Sequence, residues 1–182
     1  DSTVSLTRNM SKCVLCRRCV TVCNEIQETG ILNAQNRGFQ TVIGTAMDLP
    51  IGTSNCTFCG QCTVVCPVGA LKETDATREV WDAIADTSKR VVVQVAPAIR
   101  VAIGEEFGYE PGTQVTGKLA RGLDLLGFDD IFDTDFTADL TIMEEATELI
   151  GRIKNGGKLP MITSCSPAWG KFAETFYPEV IP

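Results

Sequence analysis

The chain has 182 residues, 44% of them hydrophobic and 21% charged, with a formal net charge of −7. That balance is ordinary for one or two globular domains; the lack of a basic stripe argues against a nucleic-acid binder, and no apolar run reaches the roughly 18 residues of a membrane span. Charge is unevenly placed, with 7 Lys+Arg against 7 Asp+Glu through Val80 and 9 against 16 from Trp81 onward, but an acidic surface by itself names no partner.

The first eighty residues are organised by cysteine. Cys13, Cys16, Cys19 and Cys23 are separated by two, two and three residues, and Cys56, Cys59, Cys62 and Cys66 repeat that spacing, with Pro67 following. This grid is the signature of a ferredoxin module with two [4Fe–4S] clusters. A cubane needs four soft thiolates around one small volume. Two-residue gaps let three of them come from one tight turn, whereas the three-residue step has already entered the next helix. The fourth therefore comes from the other repeat: Cys13, Cys16, Cys19 and Cys66 for one cluster, Cys56, Cys59, Cys62 and Cys23 for the other. Zinc sites use paired spacing, often with histidine, and this chain has 0 His. A disulfide framework suits a short secreted chain, not 182 residues with 9 cysteines and no signal-peptide pattern. Thiols that must stay reduced point to a reducing, anaerobic interior. Asn24 stands where such motifs often carry proline, at some cost in turn rigidity.

Short helices are expected at Cys19–Gln27 and Cys62–Gly69, with a β-prone stretch at Gly38–Gly44 between them and a connecting helix at Asp75–Asp86. From Lys89 the texture changes. Val91–Ala96 is a continuous apolar run closed by Pro97, as in a buried parallel strand. Thr116–Leu126 has helical apolar spacing and ends at Gly127, a C′ glycine. Asp130–Asp133 reads as a short strand, Ala138–Lys154 as the longest helix, Leu159–Thr163 as another strand, and Pro167–Phe176 as a helix with proline in its first turn. The fold class is thus an α+β two-cluster ferredoxin-like domain over 1–80, followed over 81–182 by a partial α/β domain with a largely parallel sheet. Ligands of such sheets gather beyond the strand C-termini, where Pro97-Ala98 and Cys165-Ser166 both fall.

The second half resembles the opening of the catalytic domain of [FeFe] hydrogenases. The resemblance rests on Val95-Ala-Pro-Ala-Ile-Arg100, Gly104-Glu-Glu-Phe107, Thr116-Gly-Lys118, Leu126-Gly-Phe128, Phe132-Asp133, Ala138 through Glu148, and Thr163-Ser-Cys-Ser-Pro-Ala-Trp169, in that order. The first half is similar to the paired-cluster domain that precedes it in these enzymes. The family's active site is the H-cluster, a cysteine-bound [4Fe–4S] unit bridged to a di-iron centre with CO and CN⁻, which interconverts protons and H₂. The resemblance implies that Pro97 and Ala98 line the di-iron ligands, and that protons pass through Arg152, Glu148, Glu145 and Cys165.

On the helix Ala138–Lys154, Glu145, Glu148 and Arg152 stand at i, i+3 and i+7 and so share a stripe. Ile142, Ala146, Leu149 and Ile153 form the adjoining face, expected to be core, where desolvation would raise the carboxylate pKa values toward a useful range. Taken alone, the stripe reads better as a solvated face with an ordinary Glu–Arg pair, and it is the resemblance that favours the proton route. One position departs from the family, which shows Thr-Ser-Cys-Cys-Pro where this chain has Ser166 as the second of the pair. Serine is a hard, high-pKa ligand and a poor replacement for thiolate. Three readings stand: ligation by another group such as Cys165, a substituted or inactive form, or a degenerate catalytic domain. A lone Cys165 could also be a small buried hydrophobe.

The expectation is an electron relay joined to the N-terminal part of a hydrogenase catalytic domain, reducing protons reversibly with electrons from ferredoxin or another redox subunit. The alternatives are an electron-transfer subunit or H₂ sensor with a non-catalytic domain, and a hydrogenase-like iron–sulfur assembly protein. The chain lacks an initial Met and further cysteines after Ser166. It is therefore expected to be part of a longer or split protein whose remainder completes the H-cluster and covers apolar surface of the α/β half. The expected location is the cytoplasm or an anaerobic organelle such as the hydrogenosome.

Overall fold

A computed structural model describes residues 3–181. Packing divides the chain into two compact units, one formed by residues up to Asp75 together with those from Ile162 onward, the other by Ala76–Met161.

The first unit is held by two short antiparallel pairs. Strand β1 (Leu6–Arg8) pairs with β4 (Leu71–Glu73), Leu6 facing Glu73 and Arg8 facing Leu71, while β2 (Asn33–Gln35) pairs with β3 (Val42–Gly44). Helices α1 (Arg18–Thr21) and α2 (Gln61–Val64) lead out of the two cysteine loops. The first helical run has the length the cysteine spacing suggested, continuing from α1 as a π-helical turn over Val22–Ile26, whereas the second is shorter than expected and stops ahead of Pro67, whose ring cannot continue a helix. The β-prone stretch from Gly38 is likewise only partly strand, since a 3₁₀ turn occupies Gly38–Gln40.

The core of this unit combines Leu6, Leu32, Ile43, Ile51 and Leu71 with Cys19, Cys23, Cys56 and Cys62. Such a core is small, and nearly half of it is cysteine. Asn24, expected to weaken the turn, does the reverse. Its amide donates to the carbonyls of Val20 (2.7 Å) and Leu32 (2.8 Å), tying the helical turn to the segment that enters β2. Two satisfied donors replace the stiffness that a proline ring would have supplied. Helix α7 (Pro167–Phe176) also belongs to this unit, with Ala173 buried.

In the second unit, α3 (Thr77–Ala85) precedes β5 (Val92–Val95), and a tight turn at Pro97-Ala98 leads to α4 (Ile99–Ala102) and a further 3₁₀ stretch, Ile103–Phe107. Helix α5 (Thr116–Leu126) ends where expected, with Gly127 at φ +103. A Cβ there would also come within 3.0 Å of the Ile84 side chain, so glycine satisfies both backbone and packing. Strand β6 (Asp130–Asp133) lies parallel to β5, Val92 facing Asp130 and Val95 facing Asp133. Parallel pairing of strands connected through helices is the βαβ logic read from the sequence.

Helix α6 (Thr134–Asn155) starts one turn earlier than its apolar spacing suggested, because Asp133 accepts a hydrogen bond from the Asp135 N–H (2.9 Å) and caps it. Two expectations fail in this half. Leu159–Thr163 forms no strand: Pro160 lacks an N–H, and no described strand offers it a ladder. The face Ile142, Ala146, Leu149 and Ile153 is not core, since no residue of α6 is buried, and Ile142 (64%) and Ile153 (61%) are largely exposed. The amphipathic pattern is present, but among the described residues nothing covers it. Among the described residues no helix is long and apolar enough to cross a membrane.

Candidate functional site

The two cysteine loops repeat in backbone as well as in sequence. Residues two and four places after the first cysteine are left-handed in both, Leu15 (φ +57) and Arg17 (φ +61) in one, Phe58 (φ +57) and Gly60 (φ +77) in the other. Each helix then starts at the fifth place, Arg18 or Gln61. Left-handed residues double the chain back so that successive sulfurs face inward and N–H groups turn toward them. Leu15 N–H donates to Cys13 Sγ (3.4 Å), and Phe58 N–H to Cys56 Sγ (3.5 Å). The conformation costs a non-glycine residue about 1–2 kcal/mol, which Gly60 avoids and Arg17 bears.

Two hollows result. One, about 410 Å³ and partly open to solvent, has Cys13, Cys16, Cys19 and Cys66 in its wall, beside Arg8, Leu32 and Leu71. The other, about 350 Å³, has Cys23, Cys56, Cys59 and Cys62, beside Leu6, Ile31 and Ile51. Each hollow thus takes three cysteines from one repeat and the fourth from the other.

Electrostatics couple the thiols within each hollow, and Cys19 and Cys62 across the two. Burial pushes the Cys19 thiol up to about 11, and negative charge on Cys13, Cys16 and Cys66 pushes the same way. Burial, with Cys56, Cys59, Cys19 and Cys23 nearby, pushes Cys62 up to about 12. Burial also raises Cys56. Cys66 behaves differently. Burial raises it, but the N–H groups of Leu71, Val68, Ala70 and Gly69 outweigh that and hold it below the ordinary thiol value. Crowded, buried thiols resist ionising by themselves; a cationic iron–sulfur core would reverse that logic. Four soft donors around a small apolar hollow, with backbone N–H groups directed at sulfur, fit such a core.

Of the other expected residues, Pro97 and Ala98 sit at the C-terminal end of β5, in the turn before α4. Arg100 anchors that turn and is 6% exposed. It bonds Asp133 Oδ1 through Nη2 (2.5 Å) and Asp135 Oδ2 through Nη1 (2.7 Å), tying the turn after β5 to the start of α6. The hydrogen bond from Arg100 holds the Asp133 carboxyl below the usual carboxylate range. Nothing in the spacing of the sequence pointed to this clamp.

On α6, Glu145 is half-buried, Glu148 is exposed and Arg152 is half-buried. Arg152 bonds Glu148 Oε1 through Nε (2.9 Å) and the Lys158 carbonyl through Nη1 (3.3 Å). Gly157 lies so close that a Cβ would approach Arg152 Cα to 3.0 Å. The desolvating wall expected beside these carboxylates is missing, for the reason given for α6.

Cys165 is exposed. Ser166 is the N-cap of α7, its Oγ accepting from the Trp169 N–H (3.4 Å) while its own N–H donates to Ser164 Oγ (3.1 Å). The hydroxyl that stands where a ligating thiol was expected is thus engaged in capping a helix. Lys171, further along α7, places its ammonium 4.3 Å from the centre of the Phe58 ring, another contact the sequence did not announce.

Loops, hollows and the β5–β6 pair together define an iron–sulfur protein with a ferredoxin-like unit and a mixed helix–sheet unit. Residues 3–72 match the ferredoxin-like domain of NADH-quinone oxidoreductase subunit 3, and residues 89–182 match the C-terminal domain of the iron-only hydrogenase large subunit. The chain belongs to the iron-only, or [FeFe], hydrogenase family. It is 49% identical to the NADP-reducing hydrogenase subunit HndD of Solidesulfovibrio fructosivorans, over 100% of this chain and 32% of that protein. It is 46% identical to iron hydrogenase 1 of Clostridium pasteurianum, over 97% of this chain and 31% of that one. An apo [FeFe]-hydrogenase HydA1 variant from Chlamydomonas reinhardtii superposes on 60% of this chain and 29% of its own, with a TM-score of 0.54 and 45% identity. The chain therefore spans about a third of the length of these curated relatives.

Proposed function

We propose that this chain is the electron relay and the N-terminal part of the catalytic domain of an [FeFe] hydrogenase, with residues 1–80 forming the ferredoxin-like domain and 81–182 the catalytic portion. The observation that carries the reading is the wall of the two hollows, in which each set of four cysteines draws on both repeats. Cys13, Cys16, Cys19 and Cys66 would hold one [4Fe–4S] cluster and Cys23, Cys56, Cys59 and Cys62 the other. The clusters would supply one-electron relay toward an H-cluster completed by the remainder of the domain. Electrons would come from ferredoxin or a comparable redox subunit, in the cytoplasm or an anaerobic organelle.

This chain's residues would feed protons inward. Arg152 holds Glu148 at the exposed end of α6, and Glu145 lies one turn earlier on the same stripe. From these carboxylates the relay would end at Cys165, its thiol giving up and regaining one proton in each transfer. Pro97 and Ala98 would line the di-iron ligands on the turn that Arg100 clamps.

In the full-length protein purified without oxygen, iron and inorganic sulfide should be present, reduction should produce two interacting [4Fe–4S]⁺ EPR signals, and CO and CN⁻ bands should appear in the infrared. Glu145→Gln should lower H₂ production at least ~100-fold, the lower end of what positioned acid–base groups contribute; production at the parent rate would remove the carboxylate route. A second reading, an electron-transfer or H₂-sensing protein with a non-catalytic domain, is favoured by Ser166 and its capping role. Ser166→Cys separates the two. A gain of H-cluster infrared bands and turnover would assign the parent to the sensing class, whereas bands already present in the parent would assign it to the enzymes.

A further inference from the structure

The two cysteine loops share a backbone but not a charge environment. Leu15 and Phe58 occupy equivalent left-handed positions, each with its N–H on the first cysteine sulfur of its loop. Leu15 is an exposed aliphatic. Phe58 packs against the core of the unit and carries the Lys171 ammonium on its ring face at 4.3 Å. The contact is directional. The hydrogen bond to Cys56 fixes the backbone that bears the ring, and the ring face fixes the ammonium, as expected for a cation held by an aromatic quadrupole. Lys171 itself rises from α7, the helix that Ser166 caps immediately after Cys165.

The hollow walled by Cys13, Cys16, Cys19 and Cys66 also has a cation in its wall, Arg8, but that guanidinium is paired with Asp48 (3.2 Å), which offsets its charge. No described carboxylate is paired with Lys171 through a salt bridge.

We propose that Lys171 is a positioning residue for electron transfer: held on Phe58, it raises the reduction potential of the cluster bound by Cys23, Cys56, Cys59 and Cys62 above that of its twin. The inference rests on the cluster assignment made under Proposed function. One electron, delivered by a one-electron reductant such as reduced ferredoxin, adds one negative charge to that site and no proton. An ammonium already in place stabilises the added charge, so the electron settles on the cluster beside α7 in preference to the other. The fold thereby gives the relay a direction toward the segment that carries Cys165.

The test is an EPR-monitored redox titration of the full-length, cluster-loaded protein. Lys171→Gln should move one of the two midpoints to lower potential and leave the other in place. The expected change is about tenfold in the reduction equilibrium, lying between the effects of a unit charge under water-like and under protein-like screening. For one electron that is about 59 mV. Lys171→Arg should keep the parent potential, and Phe58→Leu, which leaves the charge but removes its seat, should move the same midpoint part of the way. Midpoints unmoved in Lys171→Gln, both moved equally, or Lys171→Arg displaced as far as Lys171→Gln would each overturn the inference. Should Lys171→Gln fail to load, Phe58→Leu carries the test: an unmoved midpoint there overturns the inference as well. A parent protein without [4Fe–4S] signals would instead overturn the cluster assignment, and with it this inference.

Discussion

Asn24 shows how a single side chain can do the work of a different chemistry. A proline would stiffen the exit from the first cysteine loop by restricting the chain before it folds. Asn24 stiffens the folded form instead, through two amide donations to Val20 and Leu32. Replacing it with leucine keeps the bulk and leaves two carbonyls without these donors, at a cost of about 1–3 kcal/mol. The expected outcome is faster iron release from the first unit in mild urea, followed by the loss of cluster absorbance; release at the parent rate would show the two bonds to be incidental. The sequence marked Asn24 as an irregularity but could not say what its amide would reach, because Leu32 is brought alongside only by the fold. Ser166 is a similar case. Its chemistry as a poor iron ligand was legible, whereas its place as N-cap depended on where α7 begins.

Elements with a strong local signal were readable. Helix α5 and strand β6 fall where periodicity and Gly127 put them. Strands β1 and β4 have three residues each, too few to show a period, and they exist only because Leu6 and Leu71 need a common core. The junction between β6 and α6 was invisible for another reason. Arg100 and its partners Asp133 and Asp135 are more than thirty positions apart, and ion pairing leaves no periodic trace. This junction sets a pH dependence. The Asp133 carboxyl titrates below its unfolded value of about 3.9, chiefly because Arg100 donates to it. Its contribution is therefore complete above that value and is lost as pH falls through the lower, folded value. Acid unfolding of the second unit, followed by circular dichroism, should begin below about pH 4. Asp133→Asn should flatten that part of the curve and lower stability at neutral pH. An unchanged acid limb would mean that the clamp adds nothing.

At the scale of the whole molecule, the two units are stabilised by different means. The first has few buried aliphatic side chains, and the cysteines account for much of its core. A core of that size cannot hold a folded unit of this length without a staple, so bound metal should supply much of the folding free energy. Stripping iron with a chelator under reducing conditions should unfold this unit while the β5–β6 unit keeps its helical signal; a first unit that stayed folded without iron would contradict the reading of the hollows. The second unit leaves Phe136, Leu140, Ile142 and Met143 of α6 more than half exposed. The sequence disclosed the apolar pattern of this helix accurately. Whether a pattern becomes a core depends on what lies against it, and no local signal encodes that.

Because each quartet of sulfurs borrows a member from the opposite repeat, neither half of the module is self-sufficient. On the ligation proposed above, a lesion at Cys23 would injure the centre built around residues 56–62, and one at Cys66 the centre built around residues 13–19. Assembly and oxidative decay would thereby be linked, since deleting either repeat would take a sulfur from both centres.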